Sequence, residues 1–248
     1  MEVIAMSSQI PEEPLTRTID SVSGENILFE VLEYIPTIKV MGAKRLKQVK
    51  VTMKNREILM ESGALHFMKG DILIEIPTGS AGGIFKRAVA SVVTNEAVVK
   101  PLYKGSGEIY LEPSYSDYIL INIDNTQLIA DKGLFYCCES SLQVGAASQK
   151  NLMTGLAGGE GFFQTLIKGT GICVLQSPVP LREIMQVQLD NDTLKVDGTF
   201  ALLRIGDIDF TVERSTRTLL GSAASGEGLL QVFRGTGQVW LAPTLGVR

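Results

Sequence analysis

Along most of this chain apolar and polar residues alternate with a period of two. Val49, Val51 and Met53 alternate with Lys50, Thr52 and Lys54. Ile119, Ile121 and Ile123 alternate with Leu120, Asn122 and Asp124, and Val187 and Leu189 with Gln186, Gln188 and Asp190. An extended backbone sends successive side chains to opposite faces, so these segments predict β-strands with one buried face. The steps Asp124-Asn125, Asp190-Asn191, Lys132-Gly133 and Asp197-Gly198 carry turn chemistry and read as breaks between strands. The pattern departs from strand near residues 79–94, where Ile84 to Val93 predict about two to three helical turns against their β-branched content.

A glycine-spaced phrase punctuates the strands three times: Lys104-Gly105-Ser106-Gly107, Lys168-Gly169-Thr170-Gly171 and Arg234-Gly235-Thr236-Gly237. The first glycines lie 64 and then 66 residues apart (105 to 169, 169 to 235), and each phrase runs through apolar residues to Pro113, Pro178 or Pro243. Asn55, Asn125 and Asn191 occupy matching places upstream. Self-similarity at this spacing indicates one small unit copied along the chain.

The expectation is an all-β protein of three tandem, similar units, each a β-sandwich or short double-stranded β-helix of five or six short antiparallel strands. The units are expected to obey pseudo-threefold symmetry, with one short helix in the first. The boundaries are 1–26 for a flexible lead-in, 27–113 for extra strands and the first unit, 114–178 for the second and 179–248 for the third. Gly105, Gly107, Gly169, Gly171, Gly235 and Gly237 are expected at turns or bulges that need positive φ.

Composition narrows the class. With 45% apolar and 20% charged residues the chain matches an ordinary globular protein, and 248 residues suffice for a real core. A net charge of −4 argues against general attraction to nucleic acid or anionic lipid. No segment approaches the ~18–20 apolar residues of a membrane-spanning helix. Glu2, Glu12 and Glu13 oppose a transit-peptide reading of the amino-terminal segment, so the expected location is cytoplasmic. Cys137, Cys138 and Cys173 form no disulfide framework. They read as packing thiols, with Cys137 and Cys138 on opposite faces of a strand.

Candidate chemistry is thin. The glycine phrases resemble a dinucleotide loop, but Tyr110, Val174 and Trp240 stand where a third glycine belongs, and a strand follows where a helix is needed. A base precedes every phrase: Lys104, Lys168 and Arg234. An acid lies upstream of each, Glu96, Glu160 and Glu227, separated from its base by 8, 8 and 7 residues, so acid and base mark opposite ends of a strand. The bases are the candidate anion-binding residues; the plainer reading is solvated charge or salt bridges across neighbouring units. His66 is the only histidine and reads as structural or surface-exposed, which argues against multi-histidine metal sites. The sequence offers no catalytic constellation and implies no cofactor. Trp240, matching Tyr110 in the first unit, reads as core or inter-unit packing.

The stretches Asp190–Leu202 and Gly226–Pro243, with GGIFKRAV at Gly82–Val89 and GEGFFQ at Gly159–Gln164, resemble the altered inheritance of mitochondria protein 24 family over about residues 45–245. The resemblance implies a fold like the trp RNA-binding attenuation protein, triplicated in one chain, a fold that tends to form rings. It implies no established biochemical activity. The attenuation protein's tryptophan- and RNA-binding residues do not match this chain one by one, and none are carried over. The expected function is therefore that of a non-enzymatic interaction or scaffold protein and homo-oligomer, because repeated β units leave sheet edges to be covered. A nucleic-acid or anion-binding module using the three bases is the second reading, and a small-molecule enzyme of the β-helix class the third.

Overall fold

The computed structural model describes residues 16–35, 44–76, 100–147, 164–215 and 229–243. These residues are almost wholly strand. In chain order they form β1 (Thr16–Gly24), β2 (Ile27–Tyr34), β3 (Lys47–Met60), β4 (Leu65–Glu75), β5 (Leu102–Leu111), β6 (Asp117–Ala130), β7 (Phe135–Glu139) and β8 (Gln143–Ala146). β9 (Thr165–Ser177), a 3-10 turn at Leu181–Glu183, β10 (Met185–Asp197), β11 (Ala201–Arg214) and β12 (Leu229–Leu241) complete them. The twelve strands join into one sheet, and the pairings between them are antiparallel.

One pairing order recurs. β5 lies between β3 and β4, β9 lies between β6 and the pair β7 and β8, and β12 lies between β10 and β11. In each set the last strand in sequence, which carries the glycine phrase, is central. Two short ladders connect the sets. β7 pairs with the end of β3 (Ile58↔Glu139, Leu59↔Cys138, Met60↔Cys137), and β11 pairs with the end of β6 (Leu203↔Ala130, Arg204↔Ile129, Ile205↔Leu128). The β1–β2 hairpin joins the first half of β3, from Lys47 to Met53.

Alternation along these strands produces the core. Val49, Val51 and Met53 are buried, as are Ile119, Ile123 and Leu189. Removing a Val, Ile or Leu side chain from water contributes about 1.5–3 kcal/mol. One apolar cluster draws on all three sets, through Leu59 and Leu102, then Leu128 and Leu175, then Leu203 and Trp240. A second packs the hairpin residues Ile27, Phe29 and Val31 against β3, Tyr118 and Tyr136. A third, with Leu189, Val196 and Phe233, stays within β10–β12. Cys137 and Cys138 point to opposite faces and enter different clusters, as adjacent strand residues must. Trp240 is buried in the cluster that draws on all three sets, which fits the core reading of the core or inter-unit packing expected of it.

Four expectations change. Residues 16–24, assigned to a loose lead-in, form β1 and pair along β2. Among the described residues the strands are fewer and longer than the five or six short ones expected per unit. Asp124-Asn125 and Asp190-Asn191 are not turns: β6 and β10 run straight through them, and the ladder slips there instead. A bulge takes up the extra residue and bends the strand without ending it. The glycine phrases likewise lie inside β5, β9 and β12 and are not turns between strands, while all six glycines hold the expected positive φ. Lys132-Gly133 and Asp197-Gly198 do make turns, with Gly133 at φ 80° and Gly198 at φ 59°. The helix expected at 84–93 lies outside the described residues.

Candidate functional site

The recurring element is a crossing between an asparagine bulge and a glycine phrase. Asn55, Asn125 and Asn191 adopt φ of 49°, 45° and 50°. Asparagine is one of the few non-glycine residues that visits this left-handed region readily. Each sits at a slip in register, between Met53 and Arg56, Ile123 and Thr126, or Leu189 and Asp192. The bulge frees its backbone N–H from the ladder. That N–H donates to the hydroxyl in the middle of the facing phrase: Asn55 to Ser106 Oγ (2.8 Å), Asn125 to Thr170 Oγ1 (3.0 Å) and Asn191 to Thr236 Oγ1 (3.0 Å).

The flanking glycines answer a second demand. Gly105 and Gly107 have φ of 142° and 154°, and Gly235 and Gly237 have 137° and 149°. A Cβ on Gly105 would stand 2.0 Å from the Asp71 carbonyl oxygen, and one on Gly235 would stand 2.1 Å from that of Asp207. Gly70 and Gly206 face the same phrases from β4 and β11 and share the close approach. Only glycine allows two backbones this near.

The middle crossing differs. Its outer strand is interrupted at Ser140–Leu142, between β7 and β8, and no glycine faces the phrase. Glu139 fills the gap. It is buried, accepts a hydrogen bond from the Ile172 backbone N–H at 2.8 Å and pairs with Arg56 Nη2 at 2.8 Å. A charged acceptor buried this way needs both partners.

The three predicted bases hold matching positions one residue before the first glycine, and all are exposed. Their charges are not equally available. Lys104 pairs with Glu57 Oε1 at 2.8 Å, and its hydrogen bond to that carboxylate raises its pKa. Arg234 forks onto both oxygens of Glu213, at 2.8 and 3.1 Å, and onto the Thr211 hydroxyl at 3.2 Å. Both partners come from strands of the same set, not from a neighbouring one. Lys168 makes no ion pair among the described residues, opposite Gln127 and Gln143. Glu96, Glu160 and Glu227 lie outside the described residues.

Other polar groups are structural. His66 is exposed, with Nδ1 3.0 Å from Gln48 Nε2. Arg204 is buried, reaches the Ile208 carbonyl and Gln164 Oε1 and lies over Phe210; burial pushes its pKa down to about 10. Lys47 pairs with Asp117 across the start of two strands. Burial pushes all three cysteine thiols well above their ordinary pKa, so they carry little thiolate at neutral pH. Among the described residues, no group of three or more His, Cys, Asp or Glu side chains is arranged to hold a metal. No helix there is long and apolar enough to cross a membrane.

Sequence reading found the bases and the glycines but missed Glu57, Glu213, Glu139 and the hydroxyls of Ser106, Thr170 and Thr236. The hydroxyls left a signal, since the middle residue of every phrase is Ser or Thr, 51, 45 and 45 residues beyond its asparagine.

Strand order and crossings define an all-β protein built on one antiparallel sheet. The chain belongs to the AIM24 family, described as mitochondrial biogenesis AIM24, whose model matches residues 38–244. That family has no established biochemical activity. No curated protein matches the chain. An X-ray crystal structure of protein SPYM3_0169 from Streptococcus pyogenes is similar in fold, with a TM-score of 0.59 and 18% identity over 85% of this chain and 93% of that one.

Proposed function

We propose that this protein is a non-enzymatic interaction or scaffold protein that works as a homo-oligomer. In this reading the three strand sets, 47–111, 117–177 and 185–241, are copies of one unit related by pseudo-threefold symmetry. The shared pairing order and the three asparagine–hydroxyl contacts support it. The three free cysteines suit a reducing compartment, in the simplest case the cytoplasm.

The observation that carries the oligomer is β4. It bears Phe67, Leu73, Ile74 and, just beyond its end, Ile76, each exposed by 46–63%. An edge strand that is long and apolar needs a cover. Light scattering at micromolar concentration tests this: a multiple of 26.9 kDa is expected, and a clean monomer refutes it.

A second reading, anion or nucleic-acid binding, draws on the matching positions of Lys104, Lys168 and Arg234. Neutralisation of two of them by Glu57 and Glu213 weighs against it. Phosphate-dominated binding falls steeply with salt, so titration of an RNA or DNA pool at two ionic strengths decides the matter. The absence of a salt-sensitive complex removes this reading.

A further inference from the structure

Three cysteines meet where the first two strand sets join, and the ladders sort them into a pair and a single. β7 carries Cys137 and Cys138 and lies between the end of β3 and the central strand β9, which carries Cys173. Cys138 stands directly opposite Cys173, and Cys137 stands opposite Val174. Cys138 and Cys173 enter the same apolar cluster, while Cys137 enters another. Adjacent strand residues point to opposite faces, so the Cys137 side chain is turned away from the other two.

The backbone shows which kind of pair this is. Glu61 N–H donates to the Tyr136 carbonyl at 2.8 Å, and Ser140 N–H to the Glu57 carbonyl at 3.1 Å. Tyr136 and Ser140 thus direct their backbone groups toward β3, and Cys138, midway between them, does the same. From the other side, Ile172 N–H points at β7 and donates to Glu139 Oε2 at 2.8 Å. Cys173, one residue on, therefore turns its backbone groups to β6, where it faces Ile121. Cys138 and Cys173 exchange no backbone hydrogen bond. In an antiparallel ladder such a pair is the closer kind, with Cα atoms about 4.5 Å apart. A disulfide spans Cα separations of roughly 4.4–6.8 Å.

We propose that Cys138 and Cys173 are a redox site, at which an oxidant of the disulfide class closes a cross-strand disulfide that staples β7 to β9. The site stands independently of the oligomer reading. Its chemistry is two successive exchanges. The thiolate of one cysteine attacks the small disulfide, forms a mixed disulfide and releases one small thiolate. The thiolate of the other attacks the protein sulfur of that mixed disulfide. The bond between Cys138 and Cys173 forms, and the second small thiolate leaves. The two protein thiols lose two protons and two electrons, and the oxidant takes them up as two small thiols. In the closed fold neither cysteine reacts, because both are 0% exposed and a thiol sealed among apolar groups stays protonated. Access comes through β7, which has five residues and ends at the interruption before β8.

The test equilibrates the full chain with reduced and oxidised glutathione in urea just below the unfolding midpoint, so that access does not limit the exchange. The urea is then diluted out, free thiols are blocked and peptides are mapped without reduction. Three cysteines allow three single linkages. The one between Cys138 and Cys173 is expected to exceed either of the others at least tenfold. A different linkage in excess overturns the proposal. So do three free thiols in a mixture that oxidises the fully unfolded chain. Closure should also raise Tm by roughly 5–15 °C, reversed by dithiothreitol. Cys137→Ala should keep that shift and Cys173→Ala should lose it. A shift that survives Cys173→Ala, or that disappears in Cys137→Ala, counts against the pair.

Discussion

The crossings at Gly105 and Gly235 are closed, and the one at Gly169 is open. All three use an asparagine bulge whose N–H is taken by a hydroxyl, and all three place a base beside the phrase. At the closed crossings an unbroken outer strand brings a facing glycine, Gly70 or Gly206, against the phrase. At the open one the outer strand breaks into β7 and β8, and the nearest atom to a Cβ on Gly169 is 3.4 Å away. The asparagine–hydroxyl contact is thus separable from the backbone approach. The first recurs at every crossing; the second depends on whether the outer strand is continuous.

The largest expected effect breaks this comparison directly. Gly105→Ala and Gly235→Ala drive a Cβ into a backbone carbonyl, which a side-chain shift cannot relieve. Each should lose about 3 kcal/mol or more. Gly169→Ala meets only the cost of its positive φ of 124°, about 1–2 kcal/mol. Denaturant melts of the three variants measure the gap, and equal losses would erase the distinction between closed and open crossings.

Next comes Glu139, which belongs to the open crossing alone. Glu139→Ala leaves the buried Ile172 N–H without its acceptor and Arg56 without its partner, for a loss of about 2 kcal/mol. Glu139→Gln should recover part of that loss in the same melt, because the amide oxygen still accepts.

Smaller still is the shared contact. Thr170→Val and Thr236→Val remove the hydroxyl and keep the shape. The asparagine N–H is exposed and regains water, so each loss is about 0.5–1 kcal/mol and alike at both crossings. A marked inequality in chemical denaturation would mean that the contact is not equivalent in the two places.

The smallest effect is electrostatic. The Arg234 hydrogen bond holds the Glu213 carboxyl below its ordinary value of 4.5, against a smaller upward push from burial. A lowered carboxyl pKa stabilises the fold above the unfolded value, and that stability is lost as pH falls through the lower, folded value. Both partners are more than a third exposed, so screening keeps the contribution below about 1 kcal/mol. Glu213→Gln should flatten the acid limb of the stability curve slightly, and less so in high salt. Lys168→Gln, at the base that makes no ion pair among the described residues, should leave that limb unchanged.

Alternation made the strands legible in the sequence, and the glycine spacing marked the three crossings. Strand length was not, because an asparagine inside a strand at positive φ has the same local chemistry as one at a turn. Only the ladder on the facing strand tells Asn125 in a bulge from Asn125 in a loop. The ion pairs of Lys104 and Arg234 were hidden for a related reason. Glu57 and Glu213 reach them across strands whose register the bulges set. Nor does alternation distinguish a covered strand from an edge. Phe67 faces Tyr110 and Leu203 faces Trp240, each five residues beyond the first glycine of a phrase, and only the pairing order separates the exposed one from the buried one.

The central claim is that β4 is an exposed apolar strand and that another copy covers it. Amide hydrogen exchange read by mass spectrometry across a hundredfold range of protein concentration tests it most directly. Peptides covering Leu65–Glu75 should gain protection as concentration rises, while the central strand β9 stays protected throughout. Exchange at β4 that is fast and independent of concentration would contradict the account.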